Sequence, residues 1–402
     1  MPDDGMRILQ AGAMNGAGVP REGAGSDTGA EGVSSRFRRG ETPWRPGIAT
    51  GIGSMPGTDP VDSAALIAGE LPDLPHLVEL PDRGAGADMI GRTAAMLIDM
   101  PVEVVPSGWR LTARPGRDLR RATDFLAWDV DAAERHFAGA AWVKVQLAGP
   151  WTLAAQIETP RGHRAVHDPG AVADLASSLA EGLAAHLAEL SRRLPGTGLV
   201  VQVDEPSLPG VLAGTLPTAS GFGSVPAVDE ARAQEVLTGL TDSITRVRPD
   251  APLVAHCCHP DVPIDLLRRC GFGALSLDPA AMGTTTARLD QLGEAIEAGI
   301  VLLAGLVPTR EPTVPDAGTG GRPDRRADEQ PDAGGSDRYD FHDVAAPLVD
   351  TWHRLGLAGS LLGHVVVTPA CGLAGAPARW ARRALALSRD AASLLAERAQ
   401  QG

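Results

Sequence analysis

Short apolar segments recur along this chain, and they constrain its fold more than any other feature. Eight such segments begin near turns and end in polar or small residues: 48–54, 76–80, 142–150, 199–206, 252–258, 274–278, 300–308 and 364–372. Strands that are buried on both faces have this pattern. Helical patterns separate most of the segments. The clearest covers 169–194, where leucine or valine recurs every three or four residues behind the cap formed by Asp168 and Pro169.

Strands that alternate with helices in this way predict an α/β fold, a (β/α)8 barrel of the TIM type. An open, doubly wound sheet is the alternative. The stretch "VEVVPSGWRLTA" at 102–113 predicts a hairpin and a following helix, inserted after the second strand. Further helices are predicted to begin at Asp59-Pro60 and to cover 283–298 and 377–399.

Two segments lack any apolar period and are rich in glycine and charged residues. We predict a disordered tail at 1–45 and a disordered insertion at 313–337. A single barrel domain is predicted to cover 46–400, with the insertion inside it. The insertion follows the seventh strand, at the rim where barrel enzymes place their sites. It is therefore either a lengthened loop without a role or a lid.

Composition excludes several classes of protein. The chain of 402 residues has a net charge of −14, which argues against a nucleic acid partner held by phosphate contacts. No apolar run approaches the roughly 18 residues that a membrane span needs, and the N-terminus lacks the core of a signal peptide. The 4 cysteines are too few for a disulfide framework in a chain of this length. A cytoplasmic location is the expectation.

The segment "VAHCCHP" at 254–260 places four potential metal ligands side by side. Only residues two apart share a face of a strand, so His256 and Cys258 pair with one another while Cys257 points the other way. The ends of the sixth and eighth strands add Asp278 and Cys371. Two thiolates, one imidazole and one carboxylate suit zinc better than magnesium or calcium.

A purely structural interpretation of these residues stays open. Cys258 and Cys371 could be small buried apolar residues, and His256 a core histidine with satisfied hydrogen bonds. Cys257 and Cys270 are predicted to be core cysteines. His259, just before Pro260, is predicted to lie at the rim.

Taken together, the motifs resemble the C-terminal, catalytic half of cobalamin-independent methionine synthase, a zinc barrel of the uroporphyrinogen decarboxylase-like type. The resemblance runs from about residue 48 to about residue 390, and the family's N-terminal domain is expected to be absent. The segments "AHCCHP" and "TPACGL" are similar to the family's two zinc segments. The segments "QVDEPSL" and "GIGSMPGT" are similar to its Asp-Glu-Pro segment and its Ile-Gly-Ser turn.

The resemblance implies roles for residues at the first, second and fourth strand ends. Ile52 to Ser54, including Gly53, would hold the carboxylate of homocysteine through backbone and hydroxyl groups. Glu79 and Asp204 would hold its ammonium group, since opposite charges at its two ends orient a small zwitterion. The alternatives are a rim carboxylate for Glu79 and a neighbouring basic partner for Asp204.

The chain departs from the family pattern at several positions. Asp278 stands where the family has Glu as a zinc ligand. Thr309 stands where the family has its proton-donating histidine, so no catalytic residue is assigned. Gln156 stands where a tryptophan packs on the pterin, although Trp151 lies nearby. Apart from the change at Asp278, these departures weaken the case for a methylfolate donor more than the case for a thiol acceptor.

The resemblance implies zinc-dependent methyl transfer to the thiol of homocysteine, which forms methionine. The donor would be methylfolate or a methylated corrinoid, free or carried on a corrinoid protein. One alternative is a corrinoid-dependent methyltransferase that acts on another thiol. The others are a non-catalytic barrel that binds zinc or thiols, and a metal-free relative that acts on a tetrapyrrole.

Overall fold

A computed structural model of the protein describes residues 44–218, 221–312 and 339–401. The predicted tail up to residue 43 and the predicted insertion at 313–337 lie outside these residues. The described strands are β1 Val102–Val105, β2 Gly108–Leu111, β3 Trp142–Ala148, β4 Ile157–Glu158, β5 Gly198–Asp204, β6 Leu253–His256, β7 Ala274–Leu277, β8 Val301–Val307 and β9 Val366–Pro369. The described helices are α1 Pro60–Glu70, α2 Met89–Ala94, α3 Arg117–Phe137, α4 Pro150–Gln156, α5 Pro169–Arg193, α6 Leu208–Ala213, α7 Glu230–Val247, α8 Ile264–Arg269, α9 Pro279–Met282, α10 Thr286–Glu297, α11 Phe341–Leu355 and α12 Ala378–Gln401.

The larger sheet is parallel and closes on itself. Its order is β3-β5-β6-β7-β8-β9, and the first two predicted strands complete the ring through single bridges. Ala49 bridges Val367 of β9, while His76 bridges Lys144 of β3. This closure confirms the (β/α)8 barrel and excludes the open sheet, because the first segment hydrogen-bonds to the last strand.

The first two barrel segments are more irregular than the sequence predicted. Instead of continuous strands they form isolated bridges, one of them between Ser54 and Glu79. The first segment lies close against its neighbour, since a Cβ at Gly51 would lie 2.3 Å from Nε2 of His76. Pro75 and Pro81 flank the second segment, where they lack the N–H groups that a longer ladder would use.

The predicted insertion after the second strand is confirmed. Strands β1 and β2 form an antiparallel hairpin, and helix α3 follows them. Strand β2 also pairs in parallel with the short β4, where Trp109 lies opposite Ile157. Since β4 directly follows α4 at the carboxyl end of β3, the hairpin lies beside the barrel mouth.

Local signals explain where the helices begin. The carboxylate of Asp168 accepts from Gly170 N–H and Ala171 N–H, and it caps α5 as predicted. Helix α10 begins later than the predicted residue 283, because Asp278 starts the short α9 and Gly283 ends it with a φ of 79°. No helix among the described residues is long and apolar enough to cross a membrane.

The barrel interior is layered along the strand direction. Its floor is a separate apolar cluster at the amino end, with one or two residues from each of β5 to β9 and with Trp142 of β3 packed against it: Trp44, Ile48, Leu74, Val200, Val254, Ala274, Val301, Leu303 and Val366. Two residues further along these strands the interior turns polar, with buried Thr50, His76, Lys144, Gln202 and Thr368. The period of two thus carries most of the barrel segments from an apolar floor to a polar mouth, while β8 stays apolar at Leu303.

Candidate metal and amino acid site

Three potential metal ligands meet at the carboxyl end of the barrel. His256 ends β6, Cys258 follows it by two residues, and Cys371 follows the end of β9. One ligand atom from each lies within 4.8 Å of the others. The two sulfur atoms are 3.3 Å apart, whereas two thiolates on tetrahedral zinc lie roughly 3.8 Å apart. A small outward movement of either thiol would admit the ion, so the donor set and its spacing fit zinc.

The imidazole of His256 is oriented by strand β7. Its Nδ1 lies 3.1 Å from Ser276 O and 3.2 Å from Ser276 Oγ. Because a carbonyl oxygen can only accept, Nδ1 carries a proton and donates it to Ser276 O. Nε2 is then the ring nitrogen that faces Cys371 and is left to bind a metal. Burial lowers the pKa of His256, but its hydrogen bond to Cys371 and the charge of Asp204 outweigh this and raise it.

The two thiols of the cluster differ in acidity. The hydrogen bond between the two thiols, opposed by burial and aided by His256, lowers the pKa of Cys371 to about 4. The same hydrogen bond, together with burial, raises the pKa of Cys258. Cys371 is therefore the more acidic thiol of the pair. Metal binding would release the protons that the two thiols hold.

The neighbouring cysteines and histidine lie apart from this cluster. Cys257 is 1% exposed and packs in the apolar layer between barrel and helices. Burial raises the pKa of Cys257 to about 12, and Cys270 is buried in the same layer. His259 is exposed at the rim, where its Nδ1 accepts from Asp261 N–H. Alternation along the strand thus separates ligand candidates from core residues.

Asp278 lies outside the cluster of three. Its Oδ1 accepts from Ala280 N–H at 2.9 Å and Ala281 N–H at 3.0 Å, and so it caps α9. A carboxylate has a second oxygen with which it can bind a cation. The role of Asp278 as a fourth ligand remains a prediction.

The turn at Ile52–Ser54 lies against Glu79. A Cβ at Gly53 would come within 3.0 Å of Glu79 Oε1, and Ser54 bridges Glu79 through the backbone. Glu79 is buried at 6% exposure and pairs with Arg92 at 2.9 Å, so it is not a rim carboxylate. The turn also contacts the cysteine loop, because Gly372 packs on the hydroxyl of Ser54.

Asp204 ends β5 and stands beside His256 in the register of the sheet. Its Oδ1 accepts from Gln202 Nε2 at 2.7 Å. Burial raises the pKa of Asp204 to about 7, although the charges of His256 and Lys144 oppose this. The carboxylates of Glu79 and Asp204 are therefore both within the barrel, on either side of β3.

Glu205 is a buried carboxylate whose role was not predicted from its place in the sequence. It accepts from Trp151 N–H at 3.0 Å, from Thr152 N–H at 2.7 Å and from Thr152 Oγ1 at 2.7 Å. These bonds tie the end of β5 to the start of α4. The motif gave one signal, since an acidic residue directly after a buried strand needs partners.

Two residues at the rim bear on the methyl donor. Trp151 is buried, and its indole N–H donates to Ala233 O at 3.2 Å, so its ring packs under α7 instead of lining the mouth. Gln156 is exposed and reaches Ser207 Oγ at 3.3 Å. Trp151 therefore does not replace the tryptophan that the resemblance led us to expect.

The acidity of Glu205 predicts a pH dependence of stability. Burial, opposed by its three hydrogen bonds, raises the pKa of Glu205 from 4.5 to about 7. Between these values the folded protein keeps a proton that the unfolded chain releases, so stability falls as pH rises through this window. We expect wild type to lose about 2 kcal/mol more than Glu205→Gln between pH 5 and 7. Urea unfolding at both pH values measures this difference, and equal losses would contradict the prediction.

Comparison with known proteins assigns the chain to a family. The family model for the catalytic domain of the cobalamin-independent synthase matches residues 48–319. The chain belongs to this family. The match includes Ile52–Ser54, Glu79, Asp204 and the segment with His256 and Cys258, and it ends before Cys371. A search of curated protein sequences found no match.

One solved structure of low sequence identity supports the same fold. A B12-independent methionine synthase from a Shewanella species, in complex with selenomethionine, superposes with a TM-score of 0.50 at 11% identity. The alignment covers 88% of this chain and 98% of that one. The BexX/CysO complex of Amycolatopsis orientalis aligns with a TM-score of 0.33 at 15% identity, over 91% of this chain and 96% of that one.

Proposed function

We propose that this protein transfers a methyl group to the thiol of homocysteine and forms methionine at a zinc ion. The observation that carries the proposal is the convergence of His256, Cys258 and Cys371 within 4.8 Å at the mouth of a barrel of this family. Methyl transfer to homocysteine is the activity of that family. We also propose that the enzyme works in the reducing cytoplasm, because its site depends on free thiols.

In this proposal His256, Cys258 and Cys371 hold the zinc, and Asp278 is the fourth ligand. Zinc, when bound, lowers the pKa of a thiol and supplies a thiolate nucleophile at neutral pH. The two cysteine ligands give the site negative charge, which preserves the nucleophilicity of the substrate sulfur. The nucleophile, which is only a small fraction thiolate when free, thus reacts without a dedicated base on the chain.

The rest of the site orients the amino acid. Ile52–Ser54 bind the substrate carboxylate through backbone N–H groups and the Ser54 hydroxyl, while Glu79 and Asp204 accept from its ammonium group. When both ends of the zwitterion are bound, the substrate sulfur is held in one position. The reaction with the methyl donor then loses less entropy than a free collision would. The bound selenomethionine of the Shewanella enzyme is consistent with a product-like amino acid in such a site.

The methyl donor is the open part of the mechanism. The sulfur–methyl bond forms as the bond from the methyl group to the donor breaks, and the substrate proton is released to solvent. A folate nitrogen needs a proton as it leaves, whereas a corrinoid cobalt leaves without one. Thr309 lies at the end of β8 and has no group acidic enough to supply that proton. We therefore propose a methylated corrinoid as the donor.

The test supplies purified, zinc-loaded protein with homocysteine and either methyltetrahydrofolate or methylcobalamin, and measures methionine. We expect the corrinoid to react at least about 100-fold faster, since a general acid contributes 10²–10⁴-fold. The variant Thr309→His is expected to raise the methylfolate rate and leave the corrinoid rate unchanged.

Three results would lead to a different function. Methionine formation from neither donor, combined with stabilisation by homocysteine, would indicate a binding barrel without catalysis. A protein that purifies without zinc and cannot be loaded with it would favour the metal-free tetrapyrrole relatives. Faster methylation of another thiol would replace homocysteine as the acceptor.

A further inference from the structure

A lysine ammonium group lies inside the barrel, below the proposed amino acid site. Lys144 is 0% exposed, and its Nζ donates to Ile52 O at 2.7 Å and to Gln202 Oε1 at 2.7 Å. Burying an ammonium ion costs several kcal/mol even after relaxation. An apolar residue would fill the interior of β3 at lower cost, so the charge at this position calls for a functional explanation.

Gln202 extends the contacts of Lys144 to both halves of the site. Its Nε2 donates to Ile52 O at 3.0 Å and to Asp204 Oδ1 at 2.7 Å. The carbonyl oxygen of Ile52 thus accepts two bonds from below. One connected set of hydrogen bonds joins the turn expected to bind the carboxylate to the carboxylate expected to bind the ammonium group.

The contacts to the Ile52 carbonyl oxygen also fix the direction of the N–H group in the same peptide. In a trans peptide the C=O of Ile52 and the N–H of Gly53 point in opposite directions. Lys144 and Gln202 both donate to the Ile52 carbonyl oxygen from below. The N–H of Gly53, on the other side of the same peptide, therefore points in the opposite direction, away from Lys144. Two donors on one carbonyl also polarise that peptide and strengthen its N–H as a donor.

Charge is balanced around this network. Lys144 and Arg92 provide two cations, while Glu79 and Asp204 provide two anions, and Arg92 pairs directly with Glu79 at 2.9 Å. Burial lowers the pKa of Lys144 to about 7, while the charges of Asp204 and Glu79 oppose the change. The cations and anions of the network therefore balance one another, while His256 adds its charge beside Asp204.

We propose that Lys144, acting through Gln202, is the positioning residue that sets the carboxylate-binding and ammonium-binding halves of the site for a zwitterionic amino acid. The inference rests on the proposed function only in taking an amino acid as the substrate. Lys144 itself does not contact the ligand. It holds the Ile52 peptide and, through Gln202, the Asp204 side chain.

Calorimetric binding to the zinc-loaded protein tests this without any methyl donor. The ligands are methionine, 4-(methylthio)butanoate, which lacks the ammonium group, and 3-(methylthio)propylamine, which lacks the carboxylate. Wild type is expected to bind methionine most tightly. Lys144→Met is expected to weaken methionine about 10-fold or more, the cost of loosening one hydrogen bond to a charged group of the ligand. Each truncated ligand should lose less affinity than methionine, because it uses only one half of the site.

A second variant and a control keep the test decisive if Lys144→Met folds poorly. Gln202→Leu keeps the lysine and should still reduce the advantage of methionine over both truncated ligands. Thr50→Val removes another buried hydrogen bond of the same interior, the one from Thr50 Oγ1 to Leu74 O at 2.8 Å. It is expected to lower stability and to leave the order of ligand affinities unchanged.

Equal weakening of all three ligands in both variants would show a change of pocket shape and overturn the inference. Unchanged methionine affinity in both variants would overturn it as well. A wild type with no preference for methionine would overturn the inference together with the amino acid site. Normal discrimination without methionine formation from any donor would count against the proposed function alone.

Discussion

Cys371→Ser protein is expected to bind zinc more than about 100-fold more weakly than wild type, and to lose methyl transfer with it. Removing an outer hydrogen-bonding partner of a metal site already costs about 10–100-fold in affinity, and this change removes a ligand itself. Cys371 is also the more acidic thiol of the pair, because the hydrogen bond with Cys258 and the nearby His256 lower its pKa to about 4. A serine hydroxyl offers no anion at neutral pH.

The measurement is competition with a chelator of known zinc affinity, together with the metal content of the purified protein. Cys258→Ser is expected to behave in the same way. Cys257→Ala is the matched control, since Cys257 adjoins Cys258 but is buried in the layer between barrel and helices. Full zinc content in Cys371→Ser would show that Cys371 is not a zinc ligand. Loss of zinc in Cys257→Ala would overturn the assignment of ligands by strand alternation.

Asp278→Asn separates the two possible roles of that carboxylate. An asparagine oxygen can still accept from the N–H groups of α9, so the cap is retained. If Asp278 is the fourth ligand, zinc affinity should fall about 10-fold or more, as for other groups that tune a metal site. Unchanged affinity would leave Asp278 as a helix cap only.

Much of this site follows from sequence periodicity. The alternation of β6 separates His256 and Cys258 from Cys257, and the rule that barrel sites lie at carboxyl strand ends brings in a residue as distant as Cys371. The meeting of Cys258 and Cys371 follows once the sheet closes, because closure places all strand ends on one rim. The family membership of the chain agrees with this order of motifs.

The interior network could not be predicted in the same way. Lys144 and Gln202 interrupt otherwise apolar strands, which marks them as unusual. Their shared partner, the carbonyl oxygen of Ile52, depends on the register of β3 and β5 and on the close packing of the first segment at Gly51. The orientation of Trp151 likewise depends on the rotation of α4, which its sequence does not reveal. Such contacts join residues far apart in sequence and need coordinates.

Gly149→Ala is expected to lower the free energy of unfolding by about 3 kcal/mol, the upper end of the usual cost of overpacking. Gly149 begins α4 with a φ of −76° and a ψ of 169°, which alanine adopts freely, so backbone strain is not the cause. A Cβ there would lie 2.3 Å from Glu205 Oε1 and 2.4 Å from its Cδ. Glu205 cannot move aside, since three hydrogen bonds and complete burial hold its carboxylate.

The matched control is Gly239→Ala in helix α7, where an added Cβ would meet nothing within 4 Å. That change should raise stability by about 0.5–1 kcal/mol, because alanine favours a helix over glycine. Urea unfolding of the two variants and wild type gives both values. Strain at Glu205 would also reach the adjacent Asp204, so Gly149→Ala should weaken methionine binding while Gly239→Ala should not. Equal stability of the two variants would mean that the Gly149–Glu205 contact does not hold α4 on β5.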